Sequence, residues 1–445
     1  APGLLLLNLL RGLLKKCFKN AQMHLLSKNQ LNIKQFLQKY NITQKLQYCF
    51  ATGNWGIQKS NFIRTGVSQV YNRDNHVTGM SQMKQIIVPV GKDSRTINLR
   101  QVHSSTFGFI CPVETPEGMR VGLVKAFTFL AEVSTQTPTA DMIERCTLIL
   151  RGVLEQAEQA EQAEVKEDDD GPLWFDAHDA ITYRHVKDSF RSYTTFLVNG
   201  RCWGYLKTSL VPQFVQRFHQ QRLRQFTPKG ASIATRPEQR CCLIQSDEGR
   251  CLRPVFDTSQ CVQQRDDFLR LLSERRWLEL ERCGYLVWID SQEAERSIIA
   301  HDYDEACTHH DDCQFFEVHP AAILSFNSLL IPFINHSQSP RNIYSLSMTK
   351  NAIGWRTIDE QRRFDTSSYT LCSAQTMLSP TFIQPFLQAD QFPHGTNAVV
   401  ALCCYSGYNM EDSLLVNQHA IDRGLFRSFT YKTIRFVERV VNELE

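Results

Sequence analysis

Asn397-Ala398-Val399-Val400-Ala401-Leu402-Cys403-Cys404-Tyr405-Ser406-Gly407-Tyr408-Asn409-Met410-Glu411-Asp412-Ser413 sets a run of apolar residues against a glycine turn carrying two adjacent acids. The apolar half reads as a buried strand, ended by Ser406-Gly407. Glu411 and Asp412 are then delivered together on the turn. Their hard carboxylate oxygens suit Mg²⁺, which usually takes one or two protein carboxylates with phosphates and water. A solvated polar turn is the alternative, and the residues alone leave both readings open.

Two further motifs lie upstream. In Asn335-His336-Ser337-Gln338-Ser339-Pro340-Arg341-Asn342-Ile343-Tyr344, Pro340 stiffens the backbone just before Arg341. The planar guanidinium can grip a phosphate in two places, while Gln338 and Tyr344 add directional hydrogen bonds. A helix cap or loop anchor is the competing reading. In Ile110-Cys111-Pro112-Val113-Glu114-Thr115-Pro116-Glu117-Gly118, two prolines and a glycine make a rigid turn. Its carboxylates, Glu114 and Glu117, either pair with basic residues of the fold or meet a partner, and the structural role is the one expected.

A length of 445 residues predicts roughly three domains, and 42% hydrophobic with 21% charged residues is ordinary for a globular chain. The net charge of +3, from 49 Lys+Arg against 46 Asp+Glu, excludes a protein that coats nucleic acid by charge alone. Any nucleic-acid surface must be local. The 15 cysteines form no C-x-x-C pair and read as reduced thiols rather than a disulfide framework. Leu4, Leu5, Leu9, Leu10, Leu13 and Leu14 repeat at a helical period, but Asn8 and Arg11 break the run well short of a membrane span. The basic residues follow the apolar stretch, so a core helix is expected rather than a signal peptide. The opening at Ala1 and the close at Glu445 read as those of a piece of a longer chain.

The fold class expected is mixed α+β and multi-domain. Residues 1–45 are helical, with a second helical stretch around Leu31, Ile33, Phe36 and Leu37. Glycines from Ala51 to Gly56 open a loop-rich region, 46–130. Short alternating runs such as Thr147-Leu148-Ile149-Leu150 and Cys242-Leu243-Ile244 predict a β-rich domain over 131–300. The insertion 153–171 inside it contains the Glu-Gln-Ala repeat 155–164 and Glu167-Asp168-Asp169-Asp170-Gly171, read as a solvated helix or mobile surface segment. A mixed β domain occupies 301–445.

In their order along the chain, these three motifs closely resemble signatures of the second-largest (beta or B-type) subunit of multi-subunit DNA-directed RNA polymerases. Ala51 to Gly56, Gly66 to Arg73, Val198-Asn199-Gly200, Gly249-Arg250 with Arg253-Pro254, and Val318-His319-Pro320 extend the resemblance over nearly the whole chain. It implies the helical end of a protrusion-like domain, a fork, an external domain, and the start of a hybrid-binding, active-centre domain. It also implies that Glu411 and Asp412 lie near the second, nucleotide-borne Mg²⁺. The tightly held metal belongs to three aspartates of the largest subunit, in an Asn-Ala-Asp-Phe-Asp-Gly-Asp signature absent here, so this chain should not synthesise RNA alone. Arg341 and Tyr344 would face the nucleotide triphosphate and Gln338 the RNA 3′ end, while Gln69, Asn72, Arg73 and Lys84 would face nucleic acid at the fork.

The partners implied are the largest subunit and other polymerase subunits, DNA template, RNA transcript and NTPs, with no membrane. The location implied is nucleus or cytoplasm, or the virion or viral factory for a viral protein. Ile343 and Met410 depart from the usual Thr and Gln, and Lys84-Gln85 replaces two arginines, pointing to a divergent eukaryotic, archaeal or large-DNA-virus branch. Two rivals remain: a non-catalytic paralogue or assembly protein, and a zinc-binding module using His301, Cys307, His309, His310, Cys313 and His319. The spacing of those residues fits no paired structural-zinc pattern, so no zinc is expected in this chain.

Overall fold

In the computed structural model the described residues are 2–28, 40–55, 66–91, 93–161, 173–176 and 192–436. The helical stretch expected around Leu31, Ile33, Phe36 and Leu37 and the acidic run 167–171 lie outside them. The chain divides into two compact units, Ala1–Asn72 and Arg73–Glu445.

In the first unit the leucine repeat forms the helix Pro2–Lys28, followed by the helix Ile42–Thr52. Asn41 begins the second helix by accepting a hydrogen bond from the Gln44 N–H at 3.2 Å. Gly53 ends it in the left-handed region at φ 71°, where a Cβ would come within 2.5 Å of the Ser68 carbonyl. Leu9, Cys49 and Trp55 are buried together, with Leu5, Leu13 and Leu46 against them. This is the expected amphipathic core helix, and among the described residues no helix is long and apolar enough to cross a membrane.

Among its described residues the second unit holds two five-stranded sheets and two small ones. The strands are β1 Gln85–Ile87, β2 Val124–Ala126, β3 Glu132–Val133, β4 Trp174–Asp176, β5 Tyr193–Val198, β6 Arg201–Lys207 and β7 Ser232–Arg236. Next come β8 Cys241–Gln245, β9 Cys251–Asp257, β10 Leu286–Asp290, β11 Ile299–Ala300, β12 Phe315–Phe316, β13 Ser367–Leu371 and β14 Ser428–Lys432. One large sheet runs β4-β6-β5-β8-β7 and the other β10-β9-β12-β11, with β3 also on β9. β1 pairs with β2, and β13 with β14, both antiparallel.

The first large sheet shares its core with the helices Thr139–Glu161 and Val211–Leu223. Thr147-Leu148-Ile149-Leu150, expected as a strand, lies inside the first of these helices. Met142, Cys146, Ile149, Val153 and Ala157 are buried at steps of three and four residues, the helical period that the four-residue window conceals. The start of the Glu-Gln-Ala repeat continues that helix with Glu155, Gln156, Glu158 and Gln159 exposed, the solvated helix that was one of the two expectations. Cys242-Leu243-Ile244 is strand β8, as expected.

The second large sheet is centred on β9. Its buried Arg253 donates to Glu317 at 2.6 and 2.7 Å and lies over the rings of Phe107 and Phe109. Gly108, at φ 76°, leaves room for that guanidinium, which a Cβ there would approach to 2.5 Å. Beyond β13 the chain is mostly irregular. Asn397–Tyr405, expected as a buried strand, forms no strand, and Val399, Val400 and Leu402 are exposed. An apolar run becomes a strand only where a neighbour takes up its backbone hydrogen bonds; among the described residues β13 finds such a neighbour in β14, and this run does not.

Phe214 sits fully buried at the centre of the first large core. Phe214→Ala should destabilise that core by about 3–5 kcal/mol, whereas Leu148→Ala, on the exposed side of the neighbouring helix, should cost well under half as much; urea denaturation checks both.

Candidate functional site

The second motif forms the helix Ser339–Asn351, with Pro340 in its first turn. Proline costs nothing there, because the first helical N–H groups have no intrahelical partner and the fixed φ already suits a helix. Asn342 is buried and donates to the Ile334 carbonyl at 2.9 Å, which pins the start of the helix. One residue earlier Arg341 is exposed, its guanidinium 5.7 Å from the centre of the Tyr344 ring one turn on. Gln338 occupies the N-cap position without a side-chain capping bond, so its exposed amide is uncommitted. Asn342 anchors the motif, while Gln338, Arg341 and Tyr344 are exposed, the first two at a helix N-terminus, where backbone dipoles favour anions.

The far end of this helix is locked to the fork-like region. Asn75 caps the helix His76–Met83 through the Thr78 N–H at 2.7 Å and donates to the carbonyls of Thr349 (2.9 Å) and Ala352 (2.8 Å). Lys350 meets the buried Glu114 at 2.8 Å, and Ser81 donates to the same carboxylate at 2.5 Å. Burial alone would raise the Glu114 pKa. The Lys350 charge, with hydrogen bonds from Lys350, Ser325 and Ser81, outweighs it and holds the carboxyl below the usual glutamate value. Glu114 is thus the structural acid expected, whereas Glu117 is exposed.

The fork residues divide. Gln69 is exposed, with its amide on the Gly66 carbonyl at 3.1 Å, and Asn72 is partly buried; both belong to the first unit. Arg73 is exposed at the start of the second unit, and its charge helps hold Asp365 below the usual carboxylate range, after the hydrogen bond from Arg363 and that residue's charge. Lys84 departs from expectation. Its ammonium donates to the carbonyls of Phe129 at 2.7 Å and of Thr128 and Ala131 at 3.4 Å. Burial pushes its pKa down, and Glu132 offsets part of that shift. All three N–H groups are engaged, leaving none for a phosphate.

The acidic turn is braced from within. Asn409 accepts from the Tyr405 N–H at 3.1 Å and donates to the Cys403 carbonyl at 2.6 Å, while Ser413 donates to the Tyr408 carbonyl at 2.8 Å. Glu411 and Asp412 follow one another in the left-handed region, at φ 56° and 63°. Each such non-glycine residue costs on the order of 1 kcal/mol or more, and strain of this kind gathers at working sites. Both carboxylates are exposed, and among the described residues no hydrogen bond or ion pair joins them to Arg341 or to another cation.

The histidine and cysteine cluster is scattered over unrelated local roles. Cys313 is buried among aromatic rings, Cys307 is exposed on the helix Tyr303–Thr308, and His319 accepts from the Ala321 N–H at 3.0 Å. Among the described residues no group of three or more His, Cys, Asp or Glu is arranged to hold a metal. Lys350, Ser81 and Ser325 escaped the sequence reading because nothing local marks them. Asn75, four residues before an apolar–polar helical pattern begins to close, did carry an N-cap signal.

A multi-domain α+β chain with an outward arginine on a rigid helix N-terminus and an acidic turn beyond it is the class these features define. Family models for RNA polymerase Rpb2 match in chain order: domain 3 at residues 69–133, domain 4 at 196–258 and domain 6 at 327–445. The chain is 31% identical over 99% of its length to the Probable DNA-directed RNA polymerase II subunit RPB2 homolog of Invertebrate iridescent virus 6. It is 34% identical over 97% of its length to the DNA-directed RNA polymerase II subunit RPB2 of Encephalitozoon cuniculi, and 29% over 88% to the DNA-directed RNA polymerase subunit Rpo2 of Sulfolobus acidocaldarius. The chain belongs to the family of second-largest subunits of multi-subunit DNA-directed RNA polymerases. It spans about a third of the length of these curated relatives, 34%, 36% and 33% respectively.

The Glu114 node has a defined pH dependence. Because its folded-state pKa lies below the unfolded value, its contribution is complete above about pH 4.3 and is lost as pH falls through the lower folded value. Glu114→Gln should flatten this acid limb of the stability profile. Lys350→Met should shift the limb to higher pH and cost about 3 kcal/mol near neutrality, since it leaves a buried carboxylate unpaired. Urea melts between pH 3 and 7 read both effects.

Proposed function

We propose that this chain contributes to the active centre of a DNA-directed RNA polymerase, positioning the incoming nucleotide for template-directed nucleotidyl transfer. The observation that carries the reading is Arg341, exposed and without an ion-pair partner among the described residues, on the first turn of a helix whose other end is locked by Glu114 and Lys350. A guanidinium so held grips phosphate oxygens without being reorganised as charge develops on them. Tyr344 supports its orientation through the ring contact, and Gln338 reaches the RNA 3′ end with an amide that can both donate and accept. In the reaction the RNA 3′ oxygen bonds to the α-phosphorus of the nucleotide, the bond to the bridging oxygen breaks, and pyrophosphate leaves.

Glu411 and Asp412 fit a shared magnesium: two adjacent exposed carboxylates with no protein partner suit an ion whose other ligands are substrate phosphates and water. When bound, that ion would neutralise charge on the phosphate oxygens. The two residues hold their carboxylates toward solvent through a turn braced by Asn409 and Ser413. The tightly bound metal comes from the largest subunit, so the chain works only in the assembled enzyme with DNA template, RNA and NTPs.

Gln69, Asn72 and Arg73 supply contacts to nucleic acid near the fork, Arg73 without reading sequence. Lys84 serves instead as a strut for the carbonyls of 128–131. The division into 1–45, 46–130, 131–300 and 301–445 goes with this reading, as does an intracellular setting in nucleus, cytoplasm or viral factory.

In a reconstituted polymerase, Arg341→Ala should slow nucleotide addition by roughly 100-fold with subunit assembly unchanged. Asp412→Asn, which removes the charge while keeping a residue that tolerates left-handed backbone, should slow it at unaltered thermal stability. Normal elongation by both variants would sink the assignment. The 445-residue chain alone should make no RNA on a primed template, and synthesis by it would overturn the division of labour.

A further inference from the structure

The helices Thr139–Glu161 and Val211–Leu223 flank an open pocket of about 590 Å³ that the polymerase reading does not use. Its apolar lining comes from Leu148, Ile149 and Phe226. Glutamine side chains supply much of the rest: Gln156 from one helix, and Gln213, Gln216 and Gln220 from the other. Positions 213, 216, 220 and 224 follow one another at helical steps of three and four, so they form a single stripe.

Two cations complete the lining, Arg217 and Arg224. Nearby arginines of the same unit are committed to acids, Arg222 to Glu293, Arg250 to Asp290 and Arg296 to Glu238. Arg217 and Arg224 form no ion pair among the described residues. The Arg217 guanidinium crosses directly over Gly152, where any Cβ would collide with its Nη1.

We propose that this cavity docks a short acidic peptide segment of a partner protein, with its carboxylates on Arg217 and Arg224 and its backbone on the glutamine amides. Guanidinium forks match carboxylates in geometry and charge. A glutamine amide both donates and accepts, so it can pair with either group of a peptide backbone, and the apolar floor accommodates one aliphatic or aromatic side chain of the segment. A nucleic-acid backbone fits less well. Two cations neutralise few phosphates, too few to hold a continuous polyanion.

The test is fluorescence anisotropy on the full chain, using a labelled Asp/Glu-rich peptide with one central leucine, and single-stranded RNA as competitor. Expected is saturable binding that weakens at least about tenfold in the Arg217→Glu/Arg224→Glu double variant. Arg201→Glu, an equal charge reversal elsewhere in the unit, should leave binding unchanged, and RNA should not displace the peptide. Arg217→Gln/Arg224→Gln, which removes both charges without reversing them, should weaken binding as well and decides the matter if the reversed double variant does not fold. Undetectable binding, equal affinity in the Arg217 and Arg224 variants, or displacement by RNA would each overturn the proposal.

Discussion

A single buried carboxylate ties together the segments that meet at the C-terminal end of the helix Ser339–Asn351. Glu114, brought in by a proline-rich turn, meets Lys350 at the end of the helix that bears Arg341, and Ser81 from the fork helix shares the same oxygen. An acid taken out of water is tolerable only when its partners are all in place. The three segments must therefore arrive together or not at all. Asn75 adds a second clasp on the same helix end. The consequence is mechanical: the C-terminal end of the helix cannot slide, so the N-terminal arginine projects from a fixed platform.

The acidic turn works by the opposite principle. Glu411 and Asp412 are not buried or paired; they are held outward by two successive left-handed residues in a loop braced through Asn409 and Ser413. A helix places one charge rigidly, whereas a strained turn presents two side by side. Elsewhere in the same unit several arginines pair with acids, Arg250 with Asp290 and Arg253 with Glu317 among them.

Some of the local structure around the candidate site was legible because its signals are local. Proline before arginine and acids after a glycine turn owe their meaning to neighbours within a few residues. The misreadings have equally definite causes. Thr147 to Leu150 shows four β-compatible residues, and only a window reaching Met142 and Val153 reveals the helical spacing. Asn397 to Tyr405 is apolar enough for a strand, yet apolarity does not supply the neighbouring strand that a ladder requires.

The sequence by itself determined the order of motifs, hence the family, and the chemical identity of the residues that face outward. Lys84 shows what it could not determine. Read locally, it is one more basic residue in a nucleic-acid-facing loop; in the fold its ammonium is taken by carbonyls 44 to 47 residues further on. The pairing of Glu114 with Lys350 spans a still greater length of chain. Backbone propensity and covalent neighbours act over a few residues and can be read from them. Whether a charge ends in water or against a carbonyl depends on which distant segment packs beside it, and only the tertiary structure decides that.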